Sequence, residues 1–259
     1  MPKVLVCYKW VPDEQDIRVN AADASLDQSR AKYKISDYDK NAIEEAVLLQ
    51  ESQGVSVDAL TFGDNAVRQS LKDLLSRGPD KVFYIADPAA GKADGHVTAN
   101  VLAAAIRKAG PYDVILCGEG SSDAYNQQTA PRLAACLGLP SITCVQKLQL
   151  ENGRIAATRK LGDCTEVIMV DGPAVVSVLP EINKPRIPSL KQVLAAAKKT
   201  SEELKLAELG LAAGQLAPKT VRLSVKGFVM NRKNVLFKEA DQAGNVAQLV
   251  AALAKEGVS

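Results

Sequence analysis

Residues 118–129 read Gly-Glu-Gly-Ser-Ser-Asp-Ala-Tyr-Asn-Gln-Gln-Thr, between a strand-like run and a helix-like run. These residue types suit ligand binding better than bond-making. Gly118 and Gly120 allow the backbone to turn tightly and approach a ligand closely. Ser121, Ser122, Asn126, Gln127, Gln128 and Thr129 offer neutral hydrogen-bonding groups, and Asp123 adds a carboxylate, close to the next helix start. Unpaired N–H groups and the positive end of the helix dipole favour a phosphate there. The pattern points to a nucleotide site; its plainer alternative is an ordinary polar strand-to-helix loop. It matches neither G-x-x-x-x-G-K-[ST] nor G-x-G-x-x-G.

Two earlier segments could wall the same crevice: Cys7 to Trp10, and Ser36-Asp37-Tyr38-Asp39. Taken alone, Cys7 also reads as core packing, and Asp37 and Asp39 as helix caps. Trp10, the sole tryptophan, reads as a packing or interface residue. Further on, Lys184, Arg186, Lys191, Lys198 and Lys199 surround Pro185 and Pro188. This basic cluster is either a solvated loop or a docking element, with Ile187 or Leu190 as an apolar anchor ringed by charge that steers an acidic partner.

Ordinary catalytic equipment is scarce. One histidine, His96, argues against His-based metal sites and Ser-His-Asp chemistry. The five cysteines show no C-x-x-C pairing, and four sit in apolar surroundings, so free buried thiols are expected rather than a metal site.

The elements that must position these residues alternate. Lys3 to Val11 reads as a buried strand, followed by a polar excursion in which 17–19 and 31–35 could pair as a hairpin. A helix over 37–50 carries Ala42, Ala46 and Leu49 on one stripe. Residues 55–63 form a second strand. Asp64 then caps a helix with Val67, Leu71, Leu74 and Leu75 on one face, stopped by Gly78-Pro79. A strand (81–87), a helix (94–108), a strand (113–117) and a helix (126–137) follow. Four strand–helix units predict a parallel sheet covered on both faces. Ligands then bind beyond the carboxyl ends of the strands, in the loops after Val11, Gly63, Asp87 and Cys117.

From Ser141 the pattern is strand-rich: 144–150 and 154–161 flank the turn Glu151-Asn152-Gly153, and 165–170 and 174–179 follow. A Pro-interrupted loop (181–190) leads to a short basic helix (191–199). Residues 200–259 have few long apolar runs before a helix over 245–255. They read as an arm on a partner, because alone they could not bury enough surface to offset their ordering entropy. The expected domains are 1–199, carrying the site and docking loop, and 200–259, the arm.

The chain has 259 residues, 47% hydrophobic and 24% charged, the profile of a globular protein with a sizeable core. A net charge of +2 gives no field that argues for nucleic acid or an anionic membrane. No apolar run approaches a membrane span, and the N-terminal residues lack a signal-peptide plan, so a cytoplasmic protein is expected.

Five segments in order resemble the β subunit of electron transfer flavoproteins: VLVCYKWVPD (4–13), DYDKNAIEEAV (37–47), the 118–129 loop with Pro131, GLP (138–140) and INKPRIPSLKQVLAAAKK (182–199). The resemblance covers essentially the whole chain. VPDEQDIRVN, LSRGPD and GSSDAYNQQ look most like the bacterial branch associated with anaerobic carnitine and CoA-ester reduction. It implies an α/β fold of the adenine-nucleotide α-hydrolase-like type and an αβ heterodimer whose electron-carrying FAD is held mainly by the α subunit. The β subunit of such proteins binds AMP, or a second FAD in members that bifurcate electrons and oxidise NADH. Carried over, the nucleotide contacts are Cys7, Ser36 to Asp39, Phe62 and Gly118 to Thr129. The segment with Arg186, Ile187, Leu190, Lys191 and Lys198 corresponds to the element that docks on acyl-CoA dehydrogenases.

The resemblance implies an electron carrier rather than an enzyme in its own right. This chain departs from the common Q-x-I-D-x-D-x-x-Q-T-G loop: it keeps Asp123, Gln128 and Thr129 but has Ala130 in place of the last glycine, and it has Glu14 where mitochondrial-type members place a tyrosine. Two other classes share such a fold. ATP pyrophosphatases carry S-G-G-x-D-S after the first strand, where this chain has Cys7-Tyr8-Lys9-Trp10. A stand-alone nucleotide sensor would be stable without a partner.

Overall fold

A computed structural model describes residues 2–151, 153–229 and 232–258. In chain order the strands are β1 (Lys3–Cys7), β2 (Trp10–Pro12), β3 (Arg18–Val19), β4 (Leu26–Asp27), β5 (Tyr33–Ile35), β6 (Ser56–Gly63), β7 (Lys81–Ala86), β8 (Val114–Gly118), β9 (Ser141–Glu151), β10 (Arg154–Leu161), β11 (Cys164–Asp171), β12 (Ala174–Val178) and β13 (Thr200–Glu203). The α-helices are α1 (Asp37–Gln53), α2 (Leu71–Ser76), α3 (Gly95–Ala109), α4 (Thr129–Leu137), α5 (Leu190–Ala196), α6 (Ala213–Leu216) and α7 (Gln242–Lys255).

One nine-stranded sheet runs β11-β10-β9-β12-β8-β1-β6-β7-β13. The strands from β9 through β12 to β13 pair in parallel, whereas β10 and β11 extend the sheet antiparallel. Side chains alternate between its faces with period two. In β1, Val4 and Val6 join the core under α1 and α2, while Leu5 and Cys7 join the core under α3 and α4. In β8, Val114 and Leu116 take the first face, and Ile115 and Cys117 the second. Burial on both sides explains the near-continuous apolar runs of these strands. Each fully buried Leu or Ile contributes roughly 1.5–3 kcal/mol, so these two layers dominate stability. The expected α/β fold, a largely parallel sheet flanked by helices, is the one found.

Local differences have identifiable causes. The run read as one strand from Lys3 to Val11 is two: the chain leaves the main sheet after Cys7, and Trp10–Pro12 pairs instead with Tyr33–Ile35. The expected hairpin of 17–19 with 31–35 is replaced by that pairing and by the separate β3–β4 sheet. Asp64 does cap the next segment, accepting from the Ala66 N–H at 2.9 Å, but the first turns, Asn65–Ser70, are 3₁₀. Asn152, in the expected turn at 151–153, lies outside the described residues; its flanking strands pair antiparallel, Glu151 opposite Arg154. All five cysteines are free, but only Cys7 and Cys117 are buried; Cys136 and Cys144 are half-buried and Cys164 is exposed.

The break expected after Lys199 lies after Val225. The first compact unit comprises Met1–Arg18 and Asp27–Val225, and the second Val19–Leu26 with Lys226–Ser259. Residues 200–203 belong to the first because they complete the sheet edge beside β7, and Leu204 is buried behind them. In the second unit, the Gly227 N–H donates to the Ala24 carbonyl at 2.7 Å. Its helix α7 buries no residue, leaving Val246, Leu249, Val250 and Leu253 exposed. Among the described residues no helix is long and apolar enough to cross a membrane.

Candidate functional site

Strand order reverses between β1 and β8: the chain runs outward through β6 and β7, then returns to β8 on the other side of β1. Such a switch point opens a crevice beyond the strands' carboxyl ends. Because β1 ends at Cys7, the segment entering the crevice is Tyr8-Lys9, not the residues after Val11 as expected from the sequence.

Asp39, on the first turns of α1, ties the two strand ends together. Its carboxylate accepts the Lys9 N–H at 2.8 Å and the Gly118 N–H at 3.2 Å. Burial pushes its pKa up to about 7, against the pull of those two donors and of the Lys9 charge. The Lys9 ammonium itself meets Asp123 at 2.6 Å. Desolvation raises the Asp123 pKa, but Lys9 outweighs it and holds the carboxyl below its ordinary value.

Ser36, fully buried, precedes α1 and fastens the loop to it. Its Oγ accepts the Ser122 N–H at 3.2 Å, and the Ser122 Oγ accepts the Asp37 N–H at 3.0 Å. Ser122 thus caps α1 from another loop, satisfying an N–H that helix geometry leaves unpaired. The Asp37 carboxylate is held by Lys34 at 2.8 Å and Lys40 at 2.6 Å. Gly118 is required by close approach: a Cβ there would lie 2.7 Å from Asp39 Oδ1 and 2.7 Å from the Tyr38 carbonyl carbon.

Further along, the Tyr125 ring packs on Tyr38, with centroids 5.0 Å apart, and its hydroxyl donates to Glu119 at 2.8 Å. That bond and the nearby carboxylate raise the Tyr125 pKa to about 12. Tyr125 and Gln127 hold φ of 44° and 54°, a left-handed conformation uncommon for residues other than glycine and frequent at binding sites. Glu14, Asp37, Tyr38, Ser121, Ser122 and Tyr125 line a depression of about 230 Å³.

Ser36, Asp37, Tyr38, Asp39, Gly118, Gly120, Ser121, Ser122 and Asp123 therefore lie together at this end of the sheet. Cys7 ends β1 but its side chain belongs to the core under α3 and α4, and half-buried Phe62, next to the end of β6, packs against that core. A hydrogen bond with the Cys7 thiol, and burial after it, hold the Cys117 thiol well above its usual range. Asn126 and Gln127 are exposed, the Gln128 amide oxygen accepts from Arg132 Nε at 3.0 Å, and Thr129 opens α4. Lys9 and Glu119 fall inside the segments the sequence points to, Cys7 to Trp10 and Gly118 to Thr129, but carry no individual role there.

The loop and the start of α4 are the parts that could hold a cofactor. The Gln128 side chain makes no capping bond at α4, and because Pro131 has no N–H, Thr129 and Ala130 supply the first-turn N–H groups that a phosphate could meet. At α3, by contrast, Asp94 takes the His96 and Val97 N–H groups, each at 3.0 Å. Loop hydroxyls and amides supply neutral donors, and the paired tyrosines supply a surface for a flat ring.

The basic segment divides in two. Arg186 forms a forked pair with Glu44, with 2.8 and 2.9 Å contacts, and also meets Glu51; Lys199 donates to the carbonyls of Leu75, Gly78 and Pro79 at 3.2, 2.7 and 2.7 Å. These two cations hold the fold. Lys184, Lys191 and Lys198 remain exposed around Ile187, Leu190 and Leu194, which are 92%, 75% and 65% exposed. Residues 23–209 match the family model of the electron transfer flavoprotein domain.

Proposed function

The chain belongs to the electron transfer flavoprotein domain family, and on that premise we propose that it is the β subunit of a heterodimeric electron carrier. The observation that carries the nucleotide assignment is the joining of the 118–123 loop to the start of α1 at the switch point, through Ser36, Ser122 and Asp39. Ser121, Ser122, Asn126, Gln127 and Thr129 with the N-terminus of α4 would hold AMP or FAD. Gly118 lets the chain pass close to α1.

In this role the protein forms no bond through its side chains. A bound flavin supplies the electron-transfer chemistry, and the protein supplies binding, orientation and exclusion of water. The main FAD is held by the α subunit, on which the C-terminal arm that follows Lys199 lies. Electrons come from, or go to, an acyl-CoA dehydrogenase-type flavoenzyme that docks on Ile187 and Leu190. Lys191 and Lys198 steer it. The setting is the cytoplasm of a bacterium that reduces CoA esters anaerobically.

The pairing of half-buried Tyr38 with exposed Tyr125 favours a second reading, in which this site holds its own FAD and oxidises NADH. One measurement separates the two: co-expression with the α subunit, denaturation of the purified complex, and quantification of FAD and AMP. One FAD and one AMP per heterodimer supports the simple carrier, and two FAD the bifurcating one. Unchanged nucleotide content in Thr129→Val would refute the phosphate placement.

A further inference from the structure

Helix α1 has more buried polar residues than a core helix needs: Asp39, Asn41, Glu44 and Glu45 are all buried. Asp39 serves the strand ends, as described. The others face the segment after β12. Asn41 Nδ2 donates to the Pro180 and Asn183 carbonyls, each at 3.0 Å. Asn183 Nδ2 returns bonds to the Asn41 carbonyl at 3.0 Å and to Glu45 at 2.9 Å. Glu44 also accepts the Arg186 backbone N–H at 3.1 Å. The exposed Ile187 and Leu190 follow directly. On the other side, the Glu119 N–H donates to the Val178 carbonyl at 3.1 Å, joining the nucleotide loop to the root of the same segment.

We propose that Asn41 and Glu44 are positioning residues for the 184–199 docking segment, and that α1 carries nucleotide occupancy from its first turn to that segment. The inference rests on the nucleotide reading above. A ligand that clamps the 118–123 loop onto Ser36 and Asp39 suppresses opening of the α1 start, and the segment hung from the next two turns opens less. Linkage is reciprocal, so a docked partner tightens nucleotide binding by the same factor.

The test is hydrogen exchange on the full-length chain stripped of nucleotide, with and without saturating AMP, and likewise with FAD. Bound nucleotide is expected to slow exchange in 118–129 and, by about fivefold or more, in 184–199. In Glu44→Gln the first protection persists and the second is lost. Protection of 118–129 with none at 184–199 overturns the inference while leaving the nucleotide reading intact. So does Glu44→Gln if it exchanges faster in 184–199 by the same factor with and without nucleotide, as a merely structural residue would. Absence of protection at 118–129 with both nucleotides removes the nucleotide reading and the inference together. Should Glu44→Gln not fold, Asn183→Ala loosens the same joint from the loop side, with the same expected and overturning results.

Discussion

Gly118→Ala tests the joint between β8 and α1 directly. The added methyl would sit 2.7 Å from Asp39 Oδ1, 2.7 Å from the Tyr38 carbonyl carbon and 2.8 Å from its oxygen. Comfortable carbon contacts lie near 3.5–4.0 Å, so roughly 1 Å of movement is required. Two of the three atoms are backbone in the first turn of α1, and no rotamer change relieves them. Overpacking of this kind costs about 1–3 kcal/mol. Moving α1 away also breaks the bond from the Gly118 N–H to the buried carboxylate, worth about 1.5–3 kcal/mol. The expected loss is therefore about 3–5 kcal/mol, or roughly 10 °C in Tm for a chain of this length. Nucleotide affinity should fall with it, because Ser36 and Ser122 separate. Urea unfolding followed by circular dichroism and by the fluorescence of Trp10 measures the first; nucleotide titration measures the second. Gly120→Ala is the control: its methyl would meet the Tyr125 ring at 2.6 Å, but that exposed side chain can swing aside, so the loss should stay below about 1 kcal/mol. A Gly118→Ala loss under about 0.5 kcal/mol with normal nucleotide binding would refute the close-approach account.

Three further outcomes are expected. The folded Asp39 carboxyl keeps its proton to about pH 7, whereas the unfolded one releases it near 3.8, so the folded state binds more protons in between. Stability from this group is lost as pH rises through that window, by at most about 4 kcal/mol in total. Asp39→Asn should flatten the slope of urea midpoint against pH, and an unchanged slope would contradict the assignment. Lys199→Met strips a donor from three carbonyls at the end of α2 and should cost about 1–3 kcal/mol in chemical denaturation; wild-type stability would show those carbonyls to be satisfied by water. Leu190→Ala should leave the melting curve and flavin content unchanged but weaken coupling to the dehydrogenase about tenfold or more, read as a raised KM for the carrier. Loss of flavin instead would make that segment structural.

The central strands were legible because burial on both faces leaves unbroken apolar runs, and the nucleotide loop because glycines and small polar groups cluster between two strong periodic signals. What stayed hidden has a common physical character. Thr200–Glu203 is an exposed polar strand held by main-chain pairing to β7 and by ion pairs of Lys81 with Glu202 and Arg68 with Glu203, so hydropathy carries no trace of it. Arg186 reads as free charge in sequence because its partners Glu44 and Glu51 lie on a helix far upstream. The apolar run from Lys3 to Val11 announces burial but not which sheet, and the change of sheet at Tyr8-Lys9 is what delivers Lys9 to the site.

The second compact unit unites two parts of the chain that lie far apart in sequence, Val19–Leu26 and Lys226–Ser259. Ala24 leaves the ribosome long before its mate Gly227. Everything from Asp27 to Val225 can emerge and begin forming its own sheet before that contact exists. Pairings of such long sequence separation cannot be rewarded until their ends meet. Closure of this unit therefore waits for Lys226 and the residues after it, and until then the 19–26 segment lacks its mate. Translation stalled near Val225 yields a molecule with all nine strands of the sheet but without the Gly227 that pairs with Ala24.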